Sequence, residues 1–192
     1  MPRPSMRDQL ISSGLETLHR QGFHGSAVQD ITNAAGLPKG SFYNYFESKE
    51  ALALEVIDRF GTGRTALAGV LSDESISPVE RLRRYFALLA TNLAALNYER
   101  GCLVGNFSTE LADQSRPIRD RLASTFAAWS RPIEACIRDA QKAGEVSRDV
   151  DPTALADFLL NSFEGAMLRM KVEKDSSPLD QFMTLVFSRV LT

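Results

Sequence analysis

The segment from residue 39 to residue 46, Lys-Gly-Ser-Phe-Tyr-Asn-Tyr-Phe, carries the side chains with the clearest chemical potential in this chain. Phe42 and Phe46 are four residues apart, so on a helix they share one face and are expected to point into the core. Lys39 can reach a phosphate, and Gly40 allows a close approach of the backbone. Hydroxyl and amide groups that can bond to base edges or phosphates lie on the outward or flanking positions Ser41, Tyr43, Asn44 and Tyr45. The segment therefore predicts contacts with nucleic acid.

The elements around this segment have the order of a helix-turn-helix. Apolar residues recur at helical spacing between residues 6 and 21, which predicts a first helix. Ser26 is a suitable N-cap for a short second helix that stops at Gly36, and Ser48 is a suitable N-cap for the longer helix that follows the segment. This topology also fits a helical hairpin with no role on DNA. The residues of the segment favour the DNA-binding alternative, because a helix that faces only water would not need four aromatic side chains.

Proline marks the start of most of the later helices. It follows Ser77, Arg116, Asp151 and Ser177, and each of these pairs predicts a helix start. The predicted helices run to residues 97, 143, 174 and 191, each within a few residues. No segment alternates between apolar and polar residues, so the sequence predicts an all-α fold of about nine helices.

Composition excludes several classes of protein. The chain has 192 residues, 44% of them hydrophobic, and its formal net charge of -2 gives no indication of nucleic acid. Two cysteines and two histidines form neither a disulfide framework nor a zinc-binding pattern, so we expect no metal and no cofactor. The chain has no nucleophile elbow and no glycine-rich phosphate loop, which leaves a helical enzyme as an unfavoured alternative. We expect a cytoplasmic protein without membrane contacts, because no apolar stretch is long enough to span a bilayer.

Three stretches of the chain together resemble the DNA-binding domain of the TetR family of transcriptional regulators. They are GFHGSAVQDI at residues 22–31, AGLPKGSFYNYF at residues 35–46 and SKEAL at residues 48–52. The resemblance implies that the recognition helix runs from Lys39 to Tyr45, that Ser26 caps the second helix and touches phosphate, and that Lys49 grips phosphate. Ala27 departs from the family pattern, in which a second hydroxyl is frequent at this position.

The resemblance also implies how the whole chain is organised. A three-helix DNA-binding domain would occupy residues 1–47, and a helical domain for effector binding and dimerisation would occupy residues 48–192. The implied protein is a repressor that binds palindromic operator DNA as a homodimer and is released by a small-molecule effector, with a constitutive DNA-binding protein as the alternative. The last two helices would form the dimer interface, or else only close the core of one protomer. The interface residues expected there are Leu155, Phe158, Leu159, Ser162, Phe163, Ala166, Leu168, Phe182, Leu185, Val186 and Val190.

The stretch from Gly101 to Asn106 resembles a signature of a TetR subgroup that includes repressors responsive to N-ethylmaleimide and related electrophiles. Cys102 lies between glycines and beside Arg100, just before a predicted helix, and these neighbours would favour its thiolate. It is therefore a candidate sensor, with a buried packing role as the alternative. Aromatic and polar residues that could line an effector pocket, or could belong to the ordinary core, are Tyr98, Asn106, Phe107, Phe126, Trp129 and Phe163.

Overall fold

Capping side chains fix where several helices of this protein begin. The computed structural model describes residues 5–191, and the described residues contain helices and no strand, which confirms the predicted all-α fold. Ser48 caps one helix by accepting a hydrogen bond from the amide of Ala51 at 3.0 Å, and Asp151 caps another by accepting from Ala154 at 2.8 Å. In chain order the helices are α1 (Met6–Gln21), α2 (Val28–Ala34), α3 (Lys39–Phe42), α4 (Lys49–Leu67), α5 (Pro78–Ala94), α6 (Leu103–Leu111), α7 (Arg116–Ala143), α8 (Pro152–Glu173) and α9 (Ser177–Leu185). A 3-10 turn at Ala68–Ser72 follows α4, and a π turn at Val186–Val190 follows α9.

Two predicted details of the helices are wrong. Ser26 does not cap α2, because its hydroxyl donates to the carbonyl oxygens of Gly22 and Phe23 instead. The first turn of α2 is closed by Asp30, whose carboxylate accepts from the amide of Ala27 at 2.7 Å. The segment predicted as one helix from residue 39 to residue 46 is helical only as far as Phe42, and turns follow it.

The described residues divide into two units. The first unit contains the residues up to Thr62 together with Leu103–Thr125, and the second contains Gly63–Cys102 and the residues from Phe126 onward. Both α4 and α7 therefore contribute residues to each unit. In the first unit, α1 packs closely on α4: a Cβ atom at Gly14 would lie 2.9 Å from the side chain of Leu52.

Three phenylalanine rings form the centre of the second unit. The centre of the Phe163 ring lies 5.2 Å from that of Phe86 and 5.1 Å from that of Phe182, and the centres of the Phe86 and Phe182 rings are 5.0 Å apart. These distances are typical of favourable edge-to-face and tilted aromatic contacts. They hold α5, α8 and α9 together. Among the described residues, no helix is long and apolar enough to cross a membrane.

Candidate functional site

The exposed side of α3 and the turn after it presents polar side chains around two buried rings. Phe42 and Phe46 are buried, as the sequence predicts, whereas Lys39, Gly40 and Asn44 are exposed. Of the remaining side chains, Tyr43 is 57% exposed, Tyr45 is 41% exposed and Ser41 is half-buried. The two buried rings anchor a short segment that has too few backbone hydrogen bonds to be stable alone. We call this exposed face, formed by residues 39–41 and 43–45, the reading face.

Both residues expected to touch phosphate make hydrogen bonds at the turn between α1 and α2. The ammonium group of Lys49 donates to the carbonyl oxygens of Phe23 and Ser26, both at 2.6 Å, and lies 4.2 Å from the centre of the Phe23 ring. Burial lowers the pKa of Lys49, opposed by the charges of Glu110 and Asp30. Two of the three donors of Lys49 therefore bind inside the protein, and its contact with phosphate stays a prediction. Ser26 is buried and its hydroxyl donates to the carbonyl oxygen of Gly22, and its contact with phosphate likewise stays a prediction.

Glu110 of α6 contacts the same turn, within the first unit. Its carboxylate accepts a hydrogen bond from the amide of His24 at 3.0 Å, across 86 positions of sequence. The neighbouring Gly22 has φ +79°, and a Cβ atom there would lie 2.8 Å from a carboxylate oxygen of Glu110. Glycine therefore serves two purposes at position 22, since it adopts a left-handed backbone and leaves room for the carboxylate.

Two further contacts attach the start of α7 to α4 in the first unit. The hydroxyl of Ser115 donates to the carboxylate of Glu50, and Arg121 forms an ion pair with Asp58. Sequence reasoning missed these contacts and the role of Glu110. Acidic residues at helical spacing usually belong to a solvated face, and no local pattern identifies such distant partners.

The predicted effector residues are distributed over both units. Asn106 and Phe107 belong to the first unit, and the other candidates, Tyr98, Cys102, Phe126, Trp129 and Phe163, belong to the second. Phe107 is fully buried, with its ring 6.2 Å from that of Phe23, and its role in lining a pocket stays a prediction. Phe163 forms part of the ring cluster at the centre of the second unit, and its role in a pocket also stays a prediction.

A buried arginine that sequence reasoning missed organises the polar interior of the second unit. Arg64 is 7% exposed, and its Nη1 donates to a carboxylate oxygen of Glu164 at 2.6 Å. Its Nε forms a long hydrogen bond of 3.4 Å to the hydroxyl of Tyr85, and its Cζ lies 4.2 Å from the centre of the Trp129 ring. Burial alone would lower the pKa of Arg64, but Tyr85, Glu164 and Cys102 together raise it. The guanidinium is therefore held as a cation.

The sequence contained one signal for Arg64. Val56, Ile57 and Phe60 form the apolar stripe of α4, and Arg64 follows Phe60 by four residues and Ile57 by seven. A charged residue at the position where an apolar stripe should continue is rarely buried without a partner. The partner itself, 100 positions away, had no comparable signal.

Helices α8 and α9 expose an apolar groove of about 460 Å³ on the second unit. Of the predicted interface residues, Phe158, Ser162, Ala166, Phe182, Leu185, Val186 and Val190 line this groove. Phe158 is 50% exposed and Leu185 is 60% exposed. Leu155 and Leu159 are corrected: both are buried in the core of their own protomer. Leu168 is exposed but is not among the lining residues.

Comparison with known proteins identifies the family. The family model described as "Bacterial regulatory proteins, tetR family" matches residues 10–56, and the model "Tetracyclin repressor-like, C-terminal domain" matches residues 78–186. The chain is 45% identical to the HTH-type transcriptional repressor DhaR of Mycobacterium sp. (strain GP1), over all of this chain and 95% of that protein. It is 25% identical to the repressor NemR of Escherichia coli (strain K12), over 97% of this chain and 94% of that one. A crystal structure of a regulatory protein TetR from Rhodobacter sphaeroides superimposes with a TM-score of 0.90 at 36% identity, covering 96% of this chain and 98% of its own. This chain therefore belongs to the TetR family of bacterial transcriptional regulators.

Proposed function

We propose that this protein is a repressor that binds palindromic operator DNA as a homodimer and releases it when a small molecule binds. The observation that carries the proposal is the reading face, a set of exposed polar and aromatic side chains anchored by the buried Phe42 and Phe46. Such side chains can bond to base edges and phosphates in the major groove. A regulator of this kind acts on chromosomal DNA, so we place it in the cytoplasm.

Two copies are needed because one short reading face covers only a few base pairs. A two-fold dimer places two such faces about 34 to 36 Å apart, which is one turn of DNA. The groove between α8 and α9 supports this assembly, because exposed apolar side chains such as Phe158 and Leu185 lose contact with water when a second copy covers them. The same face would pair with itself, as a two-fold interface requires.

Release requires that effector binding disturb the reading face. Glu110 supports a route, since it accepts from the backbone of the turn before α2, and the ammonium group of Lys49 donates to a carbonyl oxygen of the same turn. A displacement of α6 that breaks the Glu110 contact would loosen α2 and α3. The ligand needs to favour the displaced state by only a few kcal/mol to empty the operator.

The first test is a mobility shift with DNA from upstream of the protein's own gene, at fixed salt and against a non-specific duplex. Wild type should retard the specific DNA, and Tyr43→Ala and Asn44→Ala should each weaken that complex by about 1–3 kcal/mol per half-site. Asn92→Ala is the matched control, because Asn92 is an exposed asparagine on α5 in the second unit. A genomic selection that recovers no specific DNA would overturn the proposal.

A constitutive DNA-binding protein is the second candidate. It would bind the same operator, with the helical body serving only for dimerisation. Release of the operator by a small molecule separates the two candidates, and operator binding that no ligand alters would favour the constitutive one.

A further inference from the structure

Arg64 uses only part of its donor capacity among the described residues. Its Nη1 and Nε donate to Glu164 and Tyr85, but its Nη2 is buried and has no hydrogen-bond partner among the residues that the structure describes. Buried donors in native proteins are nearly always paired, and an unpaired one costs free energy. The side chain is fixed in this position by the ring of Trp129, which lies 4.2 Å from Cζ.

The net charge of Arg64 and Glu164 determines which kind of acceptor suits Nη2. The ion pair between Arg64 and Glu164, at 2.6 Å, already balances the guanidinium charge. A bound anion would leave a net negative charge in a buried place, which is costly. An uncharged carbonyl oxygen accepts from Nη2 without that penalty.

The groups around the guanidinium select the rest of the ligand. Trp129 and Tyr85 are almost completely buried, and the Tyr85 ring lies 5.3 Å from that of Phe86. Aromatic side chains beside one unsatisfied donor suit a small molecule that is apolar apart from one acceptor.

We propose that Arg64 is the polar anchor of the effector site, and that its Nη2 donates to the carbonyl oxygen of a small, uncharged and otherwise apolar ligand. This inference rests on the proposed function only for the consequence of binding, which is release of the operator. Binding itself can be measured without DNA.

Trp129 provides the measurement, because it is the only tryptophan in the chain and lies against the guanidinium. Its fluorescence is followed during titration with methyl propanoate and, separately, with butanoate, which has the same number of non-hydrogen atoms but carries a negative charge. Saturated probes are used so that no reaction with a thiol can contribute. Methyl propanoate should give a saturable change in the millimolar range that is normal for ligands of this size, and butanoate should bind about tenfold more weakly.

Two variants assign the effect to this cluster. Arg64→Lys keeps the charge but removes the unpaired guanidinium donor, and it should weaken methyl propanoate about tenfold. Arg81→Lys is the matched control, because Arg81 is also 7% exposed in the second unit, where its Nε donates to the carbonyl oxygen of Ile76. This control should bind the ester as wild type does.

Glu164→Gln keeps the inference testable if Arg64→Lys does not fold. It preserves the side-chain volume but removes the negative charge beside Arg64, so the preference should invert, with butanoate bound more tightly than methyl propanoate. Three results would each overturn the inference. Wild type could prefer butanoate, Arg64→Lys could bind methyl propanoate as tightly as wild type, or a folded Glu164→Gln variant could keep the wild-type preference. If methyl propanoate binds but the operator complex stays intact, the result supports Arg64 as the anchor. It then contradicts only the proposed release of DNA by the ligand.

Discussion

Replacement of Gly40 by alanine separates folding from DNA reading. Gly40 is exposed on the reading face, and a Cβ atom built there would meet no protein atom within 4 Å. The added methyl group therefore causes no clash inside the protein. Alanine is also favoured over glycine in a helix by up to about 1 kcal/mol, so the free energy of unfolding should stay constant or rise. For a chain of this size, that corresponds to a rise in Tm of up to roughly 4 °C.

On DNA the same methyl group should be unfavourable. If the backbone at Gly40 approaches the DNA closely, the extra carbon must displace a well-packed contact, which costs roughly 1–3 kcal/mol. That range is equivalent to a loss of affinity of roughly 5- to 150-fold per half-site. The assay is a titration of operator DNA followed by fluorescence anisotropy at one salt concentration, combined with thermal unfolding of the same preparation.

Two other glycines serve as controls. Gly63→Ala lies in the second unit in equally open space, so it should leave operator affinity unchanged. Gly36→Ala also has open space but requires φ +67°, so strain should lower its Tm, at a cost of about 1–2 kcal/mol. Wild-type operator affinity in a folded Gly40→Ala variant would refute the close approach of the backbone at this position.

The remaining predictions concern α6, the cysteines and the groove. Glu110→Gln replaces a charge-assisted hydrogen bond with a neutral one, so calorimetry should show a loss of about 1 kcal/mol in stability, and an unchanged Tm would contradict the proposed support of the turn. Burial raises the pKa of Cys136 to about 12, so at pH 8 only about one part in ten thousand is thiolate. The rate at which iodoacetamide alkylates Cys136 should rise about tenfold for each unit of increasing pH. If Cys102 is the sensor, mass spectrometry should find that it is labelled faster than Cys136. Phe158→Glu places a charge in the apolar groove and should shift sedimentation toward the monomer. Leu88→Glu, at an exposed position of α5, is the control and should not shift it. Equal sedimentation of the two variants would rule out the groove as the interface.

Local chemistry made most of the fold predictable. Pro152 and its cap Asp151 mark the start of α8 by contacts within four residues, and the spacing of Phe42 and Phe46 predicts which side of the reading segment is buried. Such features depend only on near neighbours in the chain. The resemblance to the TetR family rests on the same short-range patterns, which is why it was visible in the first quarter of the sequence.

Contacts between distant segments were not predictable in the same way. In the sequence, Glu110 is one more acidic residue on a predicted helix surface, and only the fold places it against the amide of His24. The charge of Lys49 suits phosphate, but only the fold shows that two carbonyl oxygens of the protein accept its hydrogen bonds. Arg64 interrupted an apolar stripe, but its counter-charge lies on a helix 100 positions later. In each case the sequence indicated the chemistry of the side chain but not the residue that it contacts.

Phe182 belongs to two environments at once. Its ring contacts Phe86 and Phe163 in the interior of the second unit, and the residue also lines the groove between α8 and α9. A second copy seated on that groove would therefore hold an interior ring in place from outside. Folding of this unit and self-association are then thermodynamically linked, and the melting temperature should rise with protein concentration. When cell growth dilutes the protein, the dimer would dissociate. Each copy would then lose part of its stability as well as the second reading face supplied by its partner.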